Sequence, residues 1–212
     1  MGAVRGALYL LVALAAGLYL RETAKAWVIV RQGDLHPKLY GRLPIRLKET
    51  VDPFGTTILP VLIAILFASG LQTPPFAYAK PMPQDRGRIR STKQVVMVNV
   101  AGSVANLVVV LLAGLLLRLN LPPEAQLAVV VLLNANLYLA VFHLMPIPGL
   151  DGAAILARFL PPRPREVYEN LGQYLVLFIL AIFFLIGTLL FPIVDALAGA
   201  VCRLLAGSAI CG

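Results

Sequence analysis

Arg21-Glu22-Thr23-Ala24-Lys25-Ala26-Trp27 breaks an apolar run that is otherwise long enough to cross a bilayer. From Ala3 to Leu20 the only charged residue is Arg5. Ionisable groups near membrane depth cost several kcal/mol each when unpaired, so this stretch calls for partners or a function. Arg21 and Lys25 stand four residues apart and share one helix face, with Glu22 about 100° around the axis.

Composition sets the class. Of 212 residues, 59% are hydrophobic and 13% charged, against about 25% charged in soluble domains. The reading is an integral membrane protein, a single membrane domain over 1–212, with C-terminal helices over 166–212. The net charge of +8 falls mainly in loops beside apolar segments. Membrane topology explains such charge better than nucleic acid does, and no nucleic-acid partner is expected. Cys202 and Cys211 are too few and too close to a terminus for a disulfide framework.

Apolar stretches of about 20 residues are needed per crossing. Ala3–Val30, Gln94–Leu119, Ala125–Met145 and Leu171–Leu190 meet that length, and Ile193–Leu205 follows after Pro192. Thr56–Leu71 is shorter and contains Pro60. The expected fold is an all-α bundle of about five or six transmembrane helices. Residues 38–48 alternate weakly between apolar and polar and read as a small surface β-hairpin. Charge decides how Thr56–Leu71 runs. If it enters the bilayer and returns, Arg31, Lys38, Arg42, Arg46, Lys48, Lys80, Arg86, Arg88, Arg90, Lys93, Arg158, Arg163 and Arg165 share one side. Only Arg5 and Arg118 then face the other. The positive-inside rule favours that arrangement: a re-entrant segment, the N-terminus outside, and loops 31–93 and 158–165 cytoplasmic.

A second constellation is Phe142-His143-Leu144-Met145-Pro146-Ile147-Pro148-Gly149-Leu150-Asp151-Gly152. Its prolines end one helix, and Asp151-Gly152 opens another, where an Asp can act as a simple cap. With re-entry, Asp151 lies on the same side of the membrane as Arg21 and Lys25. Opposite charges from distant segments would meet there.

Together these residues resemble the site-2 protease family of intramembrane zinc metalloproteases (peptidase family M50-like). Leu150-Asp151-Gly152 matches that family's LDG motif. Ala101-Gly102-Ser103-Val104-Ala105-Asn106 is similar to its A-G-P-x-x-N segment, with Ser103 at the proline. Asp52-Pro53-Phe54-Gly55 and Tyr78-Ala79-Lys80-Pro81 resemble its D-P-x-G and W-A-K-P segments, and Gly33-Asp34 and Gly41-Arg42-Leu43 fall in family positions. The stretch aligned with H-E-x-x-H-A-W is Arg21 to Trp27, so both zinc-binding His are cations and the motif is degenerate. His143 stands where the family has an Asn.

Lys and Arg offer no lone pair to a metal and repel it. Zinc needs three donors among His, thiolate and carboxylate. The site is therefore expected to be a salt-bridged relic of Arg21, Glu22, Lys25, His143 and Asp151, with two cations balancing two anions and Arg21 able to snorkel to the surface instead. No catalytic residue, metal or other cofactor is expected. The resulting expectation is a chain that is not an enzyme: a pseudoprotease serving as accessory or structural subunit, with the lipid bilayer and other membrane subunits as partners. The alternatives are an active zinc protease with ligands rearranged to Glu22, His143 and Asp151, or a small-solute carrier. His36, in the turn-like Asp34-Leu35-His36-Pro37, reads as a solvated loop residue. Asn106 reads as a hydrogen-bonding residue between helices.

Overall fold

In the computed structural model, which describes residues 2–71, 73–85, 87–181 and 187–207, helices begin and end where local chemistry dictates. The first, α1 (Gly2–Arg31), ends because Gly33 takes φ +89° and lets the Asp34 N–H reach back to the Ile29 carbonyl at 3.2 Å. Two short helices follow, α2 (His36–Leu39) and α3 (Leu47–Thr50). A π-helical segment, Pro53–Ile58, starts on the Asp52 carboxylate, which accepts from the Phe54 and Gly55 amides at 3.0 and 2.7 Å. It runs directly into α4 (Leu59–Ala68).

The next helix, α5 (Thr92–Leu116), opens on a reciprocal capping box between Ser91 and Gln94. Then α6 (Pro123–His143) begins at a proline, whose missing N–H costs nothing in a first turn. The remainder is α7 (Asp151–Leu156), α8 (Pro162–Asn170), α9 (Leu175–Ala181) and α10 (Gly187–Ala206). Arg86, Phe183, Phe184 and Cys211 lie outside the described residues.

Helices α1, α5 and α6 pack against one another and form the centre. Leu14, Leu18, Ile63, Phe76, Leu139 and Phe142 fill one part of the core, and Val110, Ala113, Leu133 and Leu137 another. The opposite faces stay apolar and exposed, with Val4, Leu8 and Val12 on α1 and Val108, Leu111, Leu112 and Leu115 on α5. Such faces suit a lipid solvent. Among the described residues three helices, α1, α5 and α6, are long and apolar enough to cross a membrane.

The architecture is all-α, as expected, but two finer expectations are corrected. Among the described residues those three helices stand where five or six spans were expected. Pro53–Ala68 is too short to cross, and the stretch read as Leu171–Leu190 runs through residues 182–186, which lie outside the described residues. Pro192 does not break the chain but lies inside α10. The surface hairpin is also absent from the described residues. Pro37 instead starts α2, and between the two short helices a single isolated bridge joins Arg42 and Ile45. Pro44 has no N–H to extend that bridge into a ladder.

The segment from Val51 to Ala79 leaves the charged end of the bundle and comes back to it. It reaches out along α1 until Phe67 touches Gly6. It then returns so that the Lys80 N–H donates to the Thr50 carbonyl at 3.1 Å and the Tyr78 N–H to the Gly55 carbonyl at 3.1 Å. Thr56 Oγ1 donates to the Tyr78 carbonyl at 2.8 Å. The two segments Asp52–Gly55 and Tyr78–Pro81, far apart in sequence, thus form one joint. Gly55 is required there, since a Cβ would sit 2.5 Å from the Tyr78 ring.

Overpacking of this kind costs about 1–3 kcal/mol. Gly55→Ala is expected to lower thermal stability in detergent by that order. Adding Tyr78→Ala should give part of it back, because the ring the new methyl meets is gone; differential scanning fluorimetry of the three variants checks this.

Candidate functional site

Three charged residues of α1, Arg21, Glu22 and Lys25, turn inward at the end of the bundle where α5 begins and α6 ends. Arg21 is fully buried and Lys25 nearly so, at 0% and 8% exposure. Both reach Asp151 at the first turn of α7: Lys25 Nζ donates to Oδ1 at 2.5 Å, and the Arg21 guanidinium donates to Oδ2. Arg21 also points at Ser103 Oγ on α5, 3.4 Å away, and Ser103 in turn donates to the Ala140 carbonyl of α6 at 3.0 Å. One arginine therefore reaches two other helices directly, α5 and α7, and a third, α6, through Ser103. Its room comes from Gly102, where a Cβ would lie 2.7 Å from Arg21 Cγ. Gly152 has a similar duty: a Cβ there would run into the carbonyls of Leu144 and Met145, so only glycine lets α7 start against the end of α6.

Glu22 turns to a different partner. Its carboxylate accepts from Arg42 Nη2 at 2.8 Å and stands 3.9 Å from Arg21 Nε. Arg42 is 2% exposed and donates as well to the carbonyls of Glu49, Lys80 and Pro81. It is the clasp that fastens the loop between α2 and α3, and the joint at Lys80, onto α1. Sequence reasoning assigned Arg42 to membrane topology and missed this. The signal available was its place inside Gly41-Arg42-Leu43, between a glycine with φ +66° and a proline.

The geometry brings Arg21, Glu22, Lys25 and Asp151 into one cluster, and Arg42 joins it. The expected balance of two cations against two anions becomes three against two. Arg21 does not snorkel, being wholly enclosed. Asp151 is not a side-chain cap of α7; its carboxylate is spent on the two cations. His143 is buried beside the cluster, its Nδ1–H donating to the Leu139 carbonyl at 2.9 Å and its ring packed on Phe76. Asn106 is buried but bonds no other helix: both its amide atoms lack a partner among the described residues.

A cleft of about 550 Å³ opens beside Asp151 and Lys25, between α5, α7, α8 and the loop before α5. Met82, Ile89 and Val95 give it apolar walls, and Gln84, Asn99 and Gln173 supply amides.

Outside this cluster, His36 is not the solvated loop residue expected: it is the first residue of α2 and is partly buried. It stacks on Tyr40 and binds the Asp34 carboxylate, its N–H at 3.0 Å and its ring Nδ1 at 2.6 Å. Asp34 also accepts from the Asp85 N–H at 2.6 Å and so ties the end of α1 to the loop before α5. Burial pushes the Asp34 carboxyl up, but the His36 and Asp85 amides and the His36 ring outweigh it and hold the group below its ordinary range.

Two predictions follow from these contacts. Arg42→Met leaves Glu22 as a buried carboxylate without its main partner and is expected to cost about 3 kcal/mol; Arg42→Met with Glu22→Leu should recover most of it in denaturant titrations. A folded-state pKa below the unfolded one gives Asp34 a stabilising contribution complete above about pH 4 and lost as pH falls through the lowered value. Asp34→Asn should lower the melting midpoint at pH 7 and flatten the fall in midpoint on acidification, followed from pH 7 to pH 3.

Over 186 residues the chain is 29% identical to the "Putative zinc metalloprotease YwhC" of Bacillus subtilis (strain 168), covering 82% of this chain and 80% of that protein. No family model and no solved structure matches it. The similarity supports a metalloprotease-like relationship. It also corrects the expectation of a non-enzyme: a relative aligned over most of the chain carries a protease's name, which points to a protease. The donor set departs from the zinc in that name. Asp151 is held by two cations and Glu22 by Arg42, and among the described residues no three His, Cys, Asp or Glu side chains are grouped to hold a metal. The residues here do not fit a zinc ion, and the rearranged set Glu22, His143 and Asp151 is not assembled as one.

Proposed function

We propose that this chain is a multi-pass membrane protein of the metalloprotease kind, with a site-2-like core, that takes an extended polypeptide segment into the cleft beside Asp151. The observation that carries this reading is the cleft itself. It is large enough for several residues, it ends on a fixed charged floor, and it combines apolar walls with amide groups. Recognition of an extended chain uses those two elements: amides for the peptide backbone and apolar pockets for side chains. A relative named for proteolysis, aligned over most of the chain, gives the ligand class.

The orientation belongs to the same proposal. The basic loops around the cleft face the cytoplasm, the N-terminus of α1 lies outside, and the segment Val51–Ala79 enters the bilayer and returns. A polypeptide substrate then approaches from the cytoplasmic membrane surface. The floor acts electrostatically: Lys25 and Asp151 line the cleft, while Arg21, Glu22 and Arg42 stand behind them and fix their geometry. Because Arg21 and Lys25 both bond Asp151, that carboxylate does not turn freely toward a ligand. Interaction with a bound chain falls first to the Lys25 ammonium and to the amides of Asn99 and Gln84.

Photo-crosslinking with a defined probe tests the proposal. A photoreactive phenylalanine at Met82 or Val95 in the full chain should label a synthetic peptide that joins an apolar helix to an extended polar tail, and the label should fall in the tail. The same group at Leu112, on the outer face of α5, should not label the tail. Equal labelling from Leu112, or none from Met82 and Val95, contradicts the reading.

A further inference from the structure

A second cavity, of about 310 Å³, lies elsewhere in the bundle, bordered by α1, α4, α6, α10 and the stretch Thr73-Pro74-Pro75. Leu10 in its wall is eleven residues from Arg21, about 16 Å along α1. It is therefore separate from the charged cluster and lies within the apolar length of the helices. Its chemistry is also of opposite sign. Among the described residues of its lining the one charged side chain is Asp195 of α10, whose carboxylate accepts from the Tyr138 hydroxyl of α6. The sequence reading passed over Asp195, which sits alone in an apolar run.

Three observations define what the cavity lacks. First, among the described residues no cation is paired with Asp195. Asp195 is exposed at the edge of the cavity, yet in an apolar stretch meant to face lipid a carboxylate still calls for a counter-charge, and a phenol supplies a hydrogen bond but no charge. Second, Thr73 Oγ1 in the same lining is buried without a hydrogen-bond partner among the described residues. Third, Phe67, Tyr138 and Phe191 bring three aromatic rings to the wall, and ring faces attract cations. The Asn134 amide adds a further acceptor. A bare metal ion uses neither aromatic walls nor this much space. A compact organic cation with N–H donors uses all of these features.

We infer that this cavity binds a primary ammonium group, with Asp195 as its counter-ion and Thr73 and Asn134 as hydrogen-bond acceptors. The Phe67, Tyr138 and Phe191 rings cover the neighbouring carbons. The ammonium belongs either to a lipid headgroup entering from the bilayer or to a small free amine, and the two sources share this recognition chemistry.

Native mass spectrometry of the full chain distinguishes them. In one arm the protein is reconstituted with equal amounts of phosphatidylethanolamine and phosphatidylglycerol; in the other, ethanolamine is added to protein in phosphatidylglycerol alone. The expected result is one retained amine-bearing molecule, favoured at least tenfold over phosphatidylglycerol in the first arm or bound at one equivalent in the second. The arm that responds names the source. Asp195→Asn, with its melting midpoint checked, should remove the preference. Val131→Phe, which fills the cavity and leaves every charge in place, should remove it too. No preference in the wild type in either arm overturns the inference, and so does a preference that survives Asp195→Asn.

Discussion

The Asp151 carboxylate, enclosed at the end of α6 and gripped by Lys25 and Arg21, is the constraint around which the rest of the bundle is arranged. It joins residues 126 and 130 positions apart in the chain. A buried carboxylate stripped of its cations costs several kcal/mol, so α7 has to start where α1 can reach it. Gly152 permits that start and Gly102 clears the path of the Arg21 side chain. Ser103 then extends the same network to α5 and α6. Four helices are registered by one anion and two cations, in a region where apolar packing alone does not fix register: one Leu fits nearly as well as the next.

Arg42 does for the polar loops what Arg21 does for the helices. Its guanidinium binds Glu22 and three backbone carbonyls, so the loop between α2 and α3 and the returning segment at Lys80 close over the charged cluster. The cluster as a whole carries one excess positive charge. The cleft adjoins it on the side of Lys25, the cation with the greater exposure. A floor of paired charges beside a cleft with apolar walls and amide groups is the arrangement on which the polypeptide-binding proposal rests.

Much of this was legible in the sequence, for identifiable reasons. Apolar length marked α1, α5 and α6, because a bilayer demands it. The four-residue spacing of Arg21 and Lys25 gave their shared face, and Leu150-Asp151-Gly152 gave the carboxylate they hold. What failed depended on three-dimensional closure. Arg42 looked like one basic loop residue among many, since nothing local reveals that the main partner of Glu22 comes from another segment. The hairpin failed at Pro44, which removes a ladder donor. Asp195 was lost in an apolar run, and only its placement opposite Tyr138 makes it noticeable. Asn106 was read as a helix-to-helix bond and makes none. The expectation of a non-enzyme rested on a seven-residue motif, whereas similarity over most of the chain points to a protease.

The central claim is that Arg21, Lys25 and Asp151 form one energetic unit. A mutant cycle on the full chain in detergent measures it most directly, comparing Asp151→Leu, the pair Arg21→Met with Lys25→Met, and all three together. If the unit is real, each partial variant is strongly destabilised, and the triple variant is more stable than either by a coupling of about 2 kcal/mol or more, as expected when a buried ion cluster is replaced as a whole. Losses that simply add, with the triple variant the least stable, would contradict it.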